Sequence, residues 1–239
     1  DDAAWLAAAA NTVPDATNIA IQDDVDTARE YAVQAAPVPG AFFDFGTQPN
    51  ANTDDIGYSI TYNDNTWQED DFIALYEAMR AANSGYITRA NLGRDESDTY
   101  DIWSYTLTPE QGYEKTVLLM SGLHGGETTG VLGLWRVLYA VVNSWTSSPA
   151  LAYLRHKVQL VVIPVANPWG ISQVPSRTRW QSNHVNLNRN FALANWADQG
   201  SADDEDPNYR GVSAGSEAET QLIVSCMAAY PDAVAFLYY

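Results

Sequence analysis

Cysteine is almost absent: Cys226 stands alone, so an intrachain disulfide and a thiolate zinc site are both excluded. Its place on a helix-like stretch makes it a buried structural thiol. Basic residues are scarce too, 12 against 30 acidic ones, for a formal charge of −18. Such a surface repels nucleic acid and anionic lipid, which removes both as expected partners. It serves solubility or a high-salt habitat equally well. No run of about eighteen apolar residues occurs, so no membrane span is expected. Histidine is limited to His124, His156 and His184, which makes each one a short-list candidate for chemistry.

What is abundant is core-forming material. Hydrophobic residues make up 46% of the 239, with eight Trp and fourteen Tyr, enough to bury a sizeable interior. Residues 1–40 are Ala-rich and read as a helical arm that docks on other chains or oligomerises, and residues 41–65 read as a linker. From residue 66 to 239 the texture is that of one domain. In "DDFIALYEAMRAAN", Phe72, Leu75, Tyr76 and Met79 recur at amphipathic helical spacing, with Asp70 and Asp71 at the favourable end of the dipole. "GYITRANLG" and "YDIWSYTLT" read as strands, "KTVLLMSG" and "VQLVVIPVAN" as buried strands, and "AVAFLYY" as a last strand. "TTGVLGLWRVLYAVVNSW" and "SEAETQLIVSCMAAY" read as helices between them. Apolar strands alternating with helices predict an α/β fold, three layers with a mixed, largely parallel sheet. The chain opens at "DDAAW" and stops inside an apolar run, so both ends are expected to be cuts in a longer polypeptide.

Two stretches carry chemistry. In "LLMSGLHGGETTG", His124 and Glu127 stand three apart where a strand gives way to a helix. At a strand's C-terminal edge they can converge on one metal ion. They also suit a plain reading, a hydrogen-bonded loop histidine and a first-turn glutamate. The Gly125–Gly126 pair is expected to supply a tight turn between them. The second stretch, "NPWGISQVPSRTRWQSNHVNLNRNF", begins where the "VVIPVA" strand ends. It gathers Arg177, Arg179 and Arg189 into 13 positions, where even scatter would place fewer than one. Guanidinium groups bind carboxylates bidentately and stabilise oxyanions. Ordinary ion pairing with the acidic surface is the alternative.

The order HxxE, "NPWG", Arg179 nine residues before the first Asn of "NRNF", then "YRGVSAGSEAET" resembles the zinc metallocarboxypeptidase family over roughly residues 70–239. The resemblance implies an α/β/α fold, one zinc ion and a water that attacks a peptide or amide carbonyl. It implies His124 and Glu127 as the first two zinc ligands, Arg179 as the oxyanion-stabilising arginine, and Asn188 with Arg189 as the pair receiving a terminal carboxylate. Arg177 has no implied role and is taken as surface.

Three departures stand out. Asn186 replaces a usual acidic residue, removing a charge behind the ligands. His184 stands where relatives often carry Gly. The third zinc-binding His belongs just past the strand that ends this chain, so it is expected beyond Tyr239, with the general-base glutamate further on. His156, in "LRHKVQL", is read as entering a strand at its opposite end, exposed. His184 is read as a loop residue and not a ligand. Glu217 and Glu219 are read with Ser216 as a helix-capping group. Asp203–Asp206 is read as a solvated acidic loop.

The implied activity is zinc-dependent hydrolysis of an amide or peptide bond near a free carboxylate, on a peptide or cell-wall stem peptide. Related modules occur in tailed-virus tail proteins, so an extracellular or virion-associated setting within a larger assembly is expected. Two alternatives are a non-catalytic protein that keeps the fold, and a deacylase of the aspartoacylase type.

Overall fold

The computed structural model describes Tyr62 and residues 66–238. The expected helical arm and, apart from Tyr62, the linker up to residue 65 lie outside the described residues. The first described helix, α1 (Glu69–Ala82), begins where Asp71 Oδ2 accepts the Gln68 N–H at 2.8 Å. Its first turn is acidic and Arg80 sits in its last, both with the dipole. A hairpin follows, β1 (Ile87–Arg94) and β2 (Asp101–Leu107), and then β3 (Lys115–Met120). Next come α2 (Thr128–Asn143), α3 (Pro149–Lys157) and β4 (Val158–Ile163). After the one-turn α4 (Pro168–Ser172) a long irregular stretch leads to α5 (Ala218–Ala228) and β5 (Ala235–Tyr238).

The five described strands form one mixed sheet in the order β1-β2-β4-β3-β5. The β1/β2 and β2/β4 pairs are antiparallel, whereas β3 runs parallel to both β4 and β5. Period-two alternation splits the apolar residues between two faces. Tyr105, Leu107, Leu119, Leu160 and Val162 join Phe72 and Tyr76 of α1 and Trp135 and Leu138 of α2 in one core. Ile102, Leu118, Met120, Val161 and Ile163 join Ile223 and Cys226 of α5 in the other. Helices cover both faces, which is the three-layer α/β/α arrangement. Cys226 is buried, as its setting required.

One local reading is corrected. The "LRHK" segment is the last turn of a helix, because Pro149 at the first position of α3 starts one, and the strand begins only at Val158. His156 is exposed there, its ring edge-on to Trp145 at 4.6 Å, at the edge of the sheet opposite His124.

Candidate metal and anion site

The connections after β3 and β4 leave the sheet side by side and are zipped together. Ser121 N–H donates to Ile163 O, Ala166 N–H to Ser121 O, and Asn167 N–H to Gly122 O, all at 2.9–3.0 Å. Buried Asn167 then ties three segments. Its Oδ1 accepts the Gly170 N–H at 2.8 Å, and its Nδ2 donates to Leu123 O at 3.3 Å and Arg179 O at 3.5 Å. Gly125 N–H donates to Thr178 O at 2.9 Å. The backbone on either side of His124 is thus fixed to the loop that carries the arginines.

His124 is largely buried, and both ring nitrogens are engaged. Nε2 lies 3.0 Å from Asn186 Oδ1 and Nδ1 lies 2.8 Å from Glu127 Oε1. The orientation of the Asn186 amide is fixed by its other contacts. Its Oδ1 also accepts the Asn188 N–H at 3.1 Å, and its Nδ2 donates to Pro207 O at 3.3 Å. The Asn186 carbonyl oxygen and the Glu127 carboxylate both only accept, so a proton on Nε2 serves Asn186, while Nδ1 faces Glu127 either through a second proton or through a metal ion standing in for one. The other carboxylate oxygen, Glu127 Oε2, accepts the Tyr238 hydroxyl at 3.1 Å. Burial, and then the neighbouring Glu127 charge, raise the Tyr238 pKa and keep that hydroxyl a donor.

The donor set suits zinc in kind, one imidazole and one carboxylate converging on the same point. Two ligands of one tetrahedral ion stand roughly 3.4 Å apart, so the 2.8 Å contact would have to open by about half an ångström for the pair to share one, within the reach of a side-chain rotation. Among the described residues no group of three His, Cys, Asp or Glu side chains forms a metal cluster. His124 and Glu127 are the two candidate donors that the described residues bring together here.

Arg179 and Arg189 both stand on this framework, and among the described residues neither guanidinium pairs with a carboxylate. Arg189 donates from Nη1 to Asn188 O at 3.2 Å, and the Asn188 side chain is exposed. Arg177 is not a surface residue. It is half-buried, donating from Nε to Ile171 O at 2.9 Å and from Nη2 to Trp67 O at 2.6 Å, and so staples α4 to the start of α1. His184 is exposed, with its ring tilted 38° against that of Trp180 at 5.5 Å and φ at 63°, the left-handed region that glycine occupies freely. Asp203, Asp204 and Glu205 are exposed, as a solvated loop requires.

The model of the zinc carboxypeptidase family matches residues 74–239. The chain belongs to the zinc carboxypeptidase family. Solved carboxypeptidases share the fold at low identity. Carboxypeptidase A from Helicoverpa armigera aligns with a TM-score of 0.64 at 16% identity, over 91% of this chain and 52% of that one. Thrombin activatable fibrinolysis inhibitor aligns at 0.66 and 15%, over 88% and 52%. A metallo-carboxypeptidase from Burkholderia cenocepacia aligns at 0.54 and 19%, over 72% and 40%. This carboxypeptidase-family chain therefore spans about half the length of the first two solved relatives. No curated protein matches it. No described helix is long and apolar enough to cross a membrane.

Beside the site this zinc carboxypeptidase relative holds a carboxylate network that corrects the capping reading. Neither Ser216 nor Glu217 caps α5 through its side chain. Glu96, from the β1–β2 loop, does so instead, its Oε2 accepting the Ala218 N–H at 3.0 Å. Glu217 is turned inward to Gln181 and Ser216. Glu219 is fully buried, with Oε1 accepting the Glu96 N–H at 3.2 Å and Oε2 without a partner among the described residues. Burial pushes its pKa up to about 7, and that of Glu69 to about 8.

A carboxyl whose folded pKa is raised stabilises the fold fully below its unfolded pKa, and loses that contribution as pH rises through the folded value. Thermal unfolding is therefore expected to show a decline in stability between pH 5 and pH 8.5. Glu219 supplies on the order of 2 kcal/mol of it. Relief of the general negative charge acts in the same direction, so the discriminating measurement is Glu219→Gln, which should flatten the slope. An unchanged slope in that variant would remove Glu219 as its source.

Proposed function

We propose that this protein is a zinc-dependent hydrolase of carboxypeptidase type, cleaving an amide or peptide bond next to a free carboxylate on a peptide or cell-wall peptide. One observation carries the reading. In a chain of net charge −18, two arginines without carboxylate partners among the described residues stand on the loop framework that holds a converging His–Glu pair. His124 Nδ1 and the Glu127 carboxylate hold the metal, and the proposal requires a third donor from outside the described residues. When bound, zinc supplies a Lewis acid for the carbonyl and an acidified water.

The remaining tasks fall to this chain's own groups. Asn186 keeps the proton of His124 on Nε2, so that Nδ1 is the liganding nitrogen. Arg179 stabilises the oxyanion that develops on the scissile carbonyl. Asn188 and Arg189 receive the substrate's terminal carboxylate, with the guanidinium matching it in charge and geometry. Residues 1–40 serve as a docking or self-association segment.

The test is metal analysis together with hydrolysis of peptides bearing a free C-terminus. The intact protein is expected to hold one zinc per chain and to release C-terminal residues, and His124→Ala to do neither. A protein that folds, holds no zinc and leaves such peptides intact would instead be a family member that keeps the fold without the chemistry. The shortage of clustered donors among the described residues is the observation that favours that second reading.

A further inference from the structure

We infer that Tyr238 is a positioning residue that holds the Glu127 carboxylate in place beside His124. The inference rests on the metal-site reading above. The two proposed ligands are secured unequally. His124 is largely buried and fixed through Asn186, which is itself bonded to Pro207 and Asn188. Glu127 has a side chain half exposed to solvent and precedes the first turn of α2. Its backbone is tied down, the N–H donating to His124 O at 3.0 Å and the carbonyl accepting the Gly130 N–H at 3.1 Å. Its carboxylate touches only two described partners, His124 through Oε1 and Tyr238 through Oε2. A glutamate has three rotatable side-chain bonds, so a ligand held at one oxygen alone loses much freedom when it binds.

The sheet explains why a residue 111 positions away fills this role. β5 pairs parallel with β3, and the register sets Tyr238 opposite Met120, the last residue of β3. The His124 loop starts there, so the end of β5 and the loop meet at one corner. The rigid ring spans from the strand to Oε2 with two torsions to fix. The pairing of β5 is thereby linked to the geometry of Glu127.

Tyr238→Phe removes the hydroxyl and keeps the ring. On the intact protein, zinc affinity from chelator competition is expected to fall roughly 10–100-fold, the usual effect of losing a hydrogen bond to a ligand. The visible spectrum of the cobalt-substituted protein should change with the carboxylate's altered orientation, while the unfolding temperature of the metal-free protein stays the same. Unchanged affinity, in a protein whose zinc is lost in His124→Ala, overturns the role of Tyr238 and leaves the metal site standing. Weaker affinity with an unchanged cobalt spectrum and a lower metal-free unfolding temperature also overturns it, because the effect is then general to the fold. Absence of zinc from the unsubstituted protein overturns both readings.

Discussion

Gly125→Ala is expected to break the site and much of the stability with it, whereas Gly126→Ala, one residue on, is expected to do almost nothing. A Cβ on Gly125 would lie 2.1 Å from Gly170 C, 2.3 Å from Gly170 O and 2.5 Å from Ile171 N. All three are backbone atoms of α4, so no side chain can rotate away. α4 cannot withdraw cheaply either, because the Asn167 side chain and the Thr178 N–H both bond to Gly170. Gly170 itself has the Asn167 side chain and Trp180 O within 2.7 Å of its own would-be Cβ. Separating the two backbones by more than an ångström breaks the Gly125–Thr178 and Asn167–Leu123 bonds together. That is on the order of 4 kcal/mol. A Cβ on Gly126 meets nothing within 4 Å, and neither glycine adopts a positive φ. Gly126→Ala should stay within about 0.5 kcal/mol of the parent protein. Urea unfolding of both variants makes the comparison, with zinc binding as the second readout. A Gly125→Ala protein of near-parental stability would show that the two loops are not in contact.

The same pair shows what the sequence could and could not tell. "HGGE" is legible as a turn with two metal-capable ends, and a tight turn asks the same of both glycines. The distinction between them lies in a long-range approach to Gly170, which no local pattern encodes. Helical spacing and apolar or β-rich runs placed α1, α2, α5 and the five described strands, and α1, α2, α5, β2, β3 and β4 do bury their apolar residues in the two cores. They passed over α3, whose nine residues include no buried one and so carry no stripe. Charge alone places Arg177 at the surface. Only the fold reveals that two carbonyls, Ile171 O and Trp67 O, converge on its guanidinium. Asn167 had a signal, an Asn before a Pro at a helix start. Tyr238 had none, because strand order puts it beside Glu127.

The asparagines of "NLNRN" divide the labour in a way their spacing conceals, and the third of them yields the other large effect. Asn188 is exposed, Asn186 supports His124, and Asn190 is a fully buried knot. Asn190 Nδ2 donates to Arg210 O at 2.8 Å, Ser216 Oγ at 3.0 Å and Ser213 O at 3.2 Å, while Oδ1 accepts the Glu217 N–H at 3.2 Å. Asn190→Ala strands these buried groups, for a loss on the order of 3–4 kcal/mol that should vary little with pH. Asn190→Asp is nearly the same shape and should be worse at pH 8. Its oxygens would face acceptors where Nδ2 had donated, beside Glu217, whose own pKa burial already raises. The new carboxyl is stabilised only when protonated, so its folded pKa lies above its unfolded one. The penalty of the charged form is then relieved as pH falls. Unfolding midpoints at pH 8 and pH 5 separate the cases: the deficit of Asn190→Asp shrinks on acidification and that of Asn190→Ala persists. Parental stability of Asn190→Asp at pH 8 would mean that the Nδ2 donors are dispensable, and that the loop from Arg210 to Ser216 is held by backbone contacts alone.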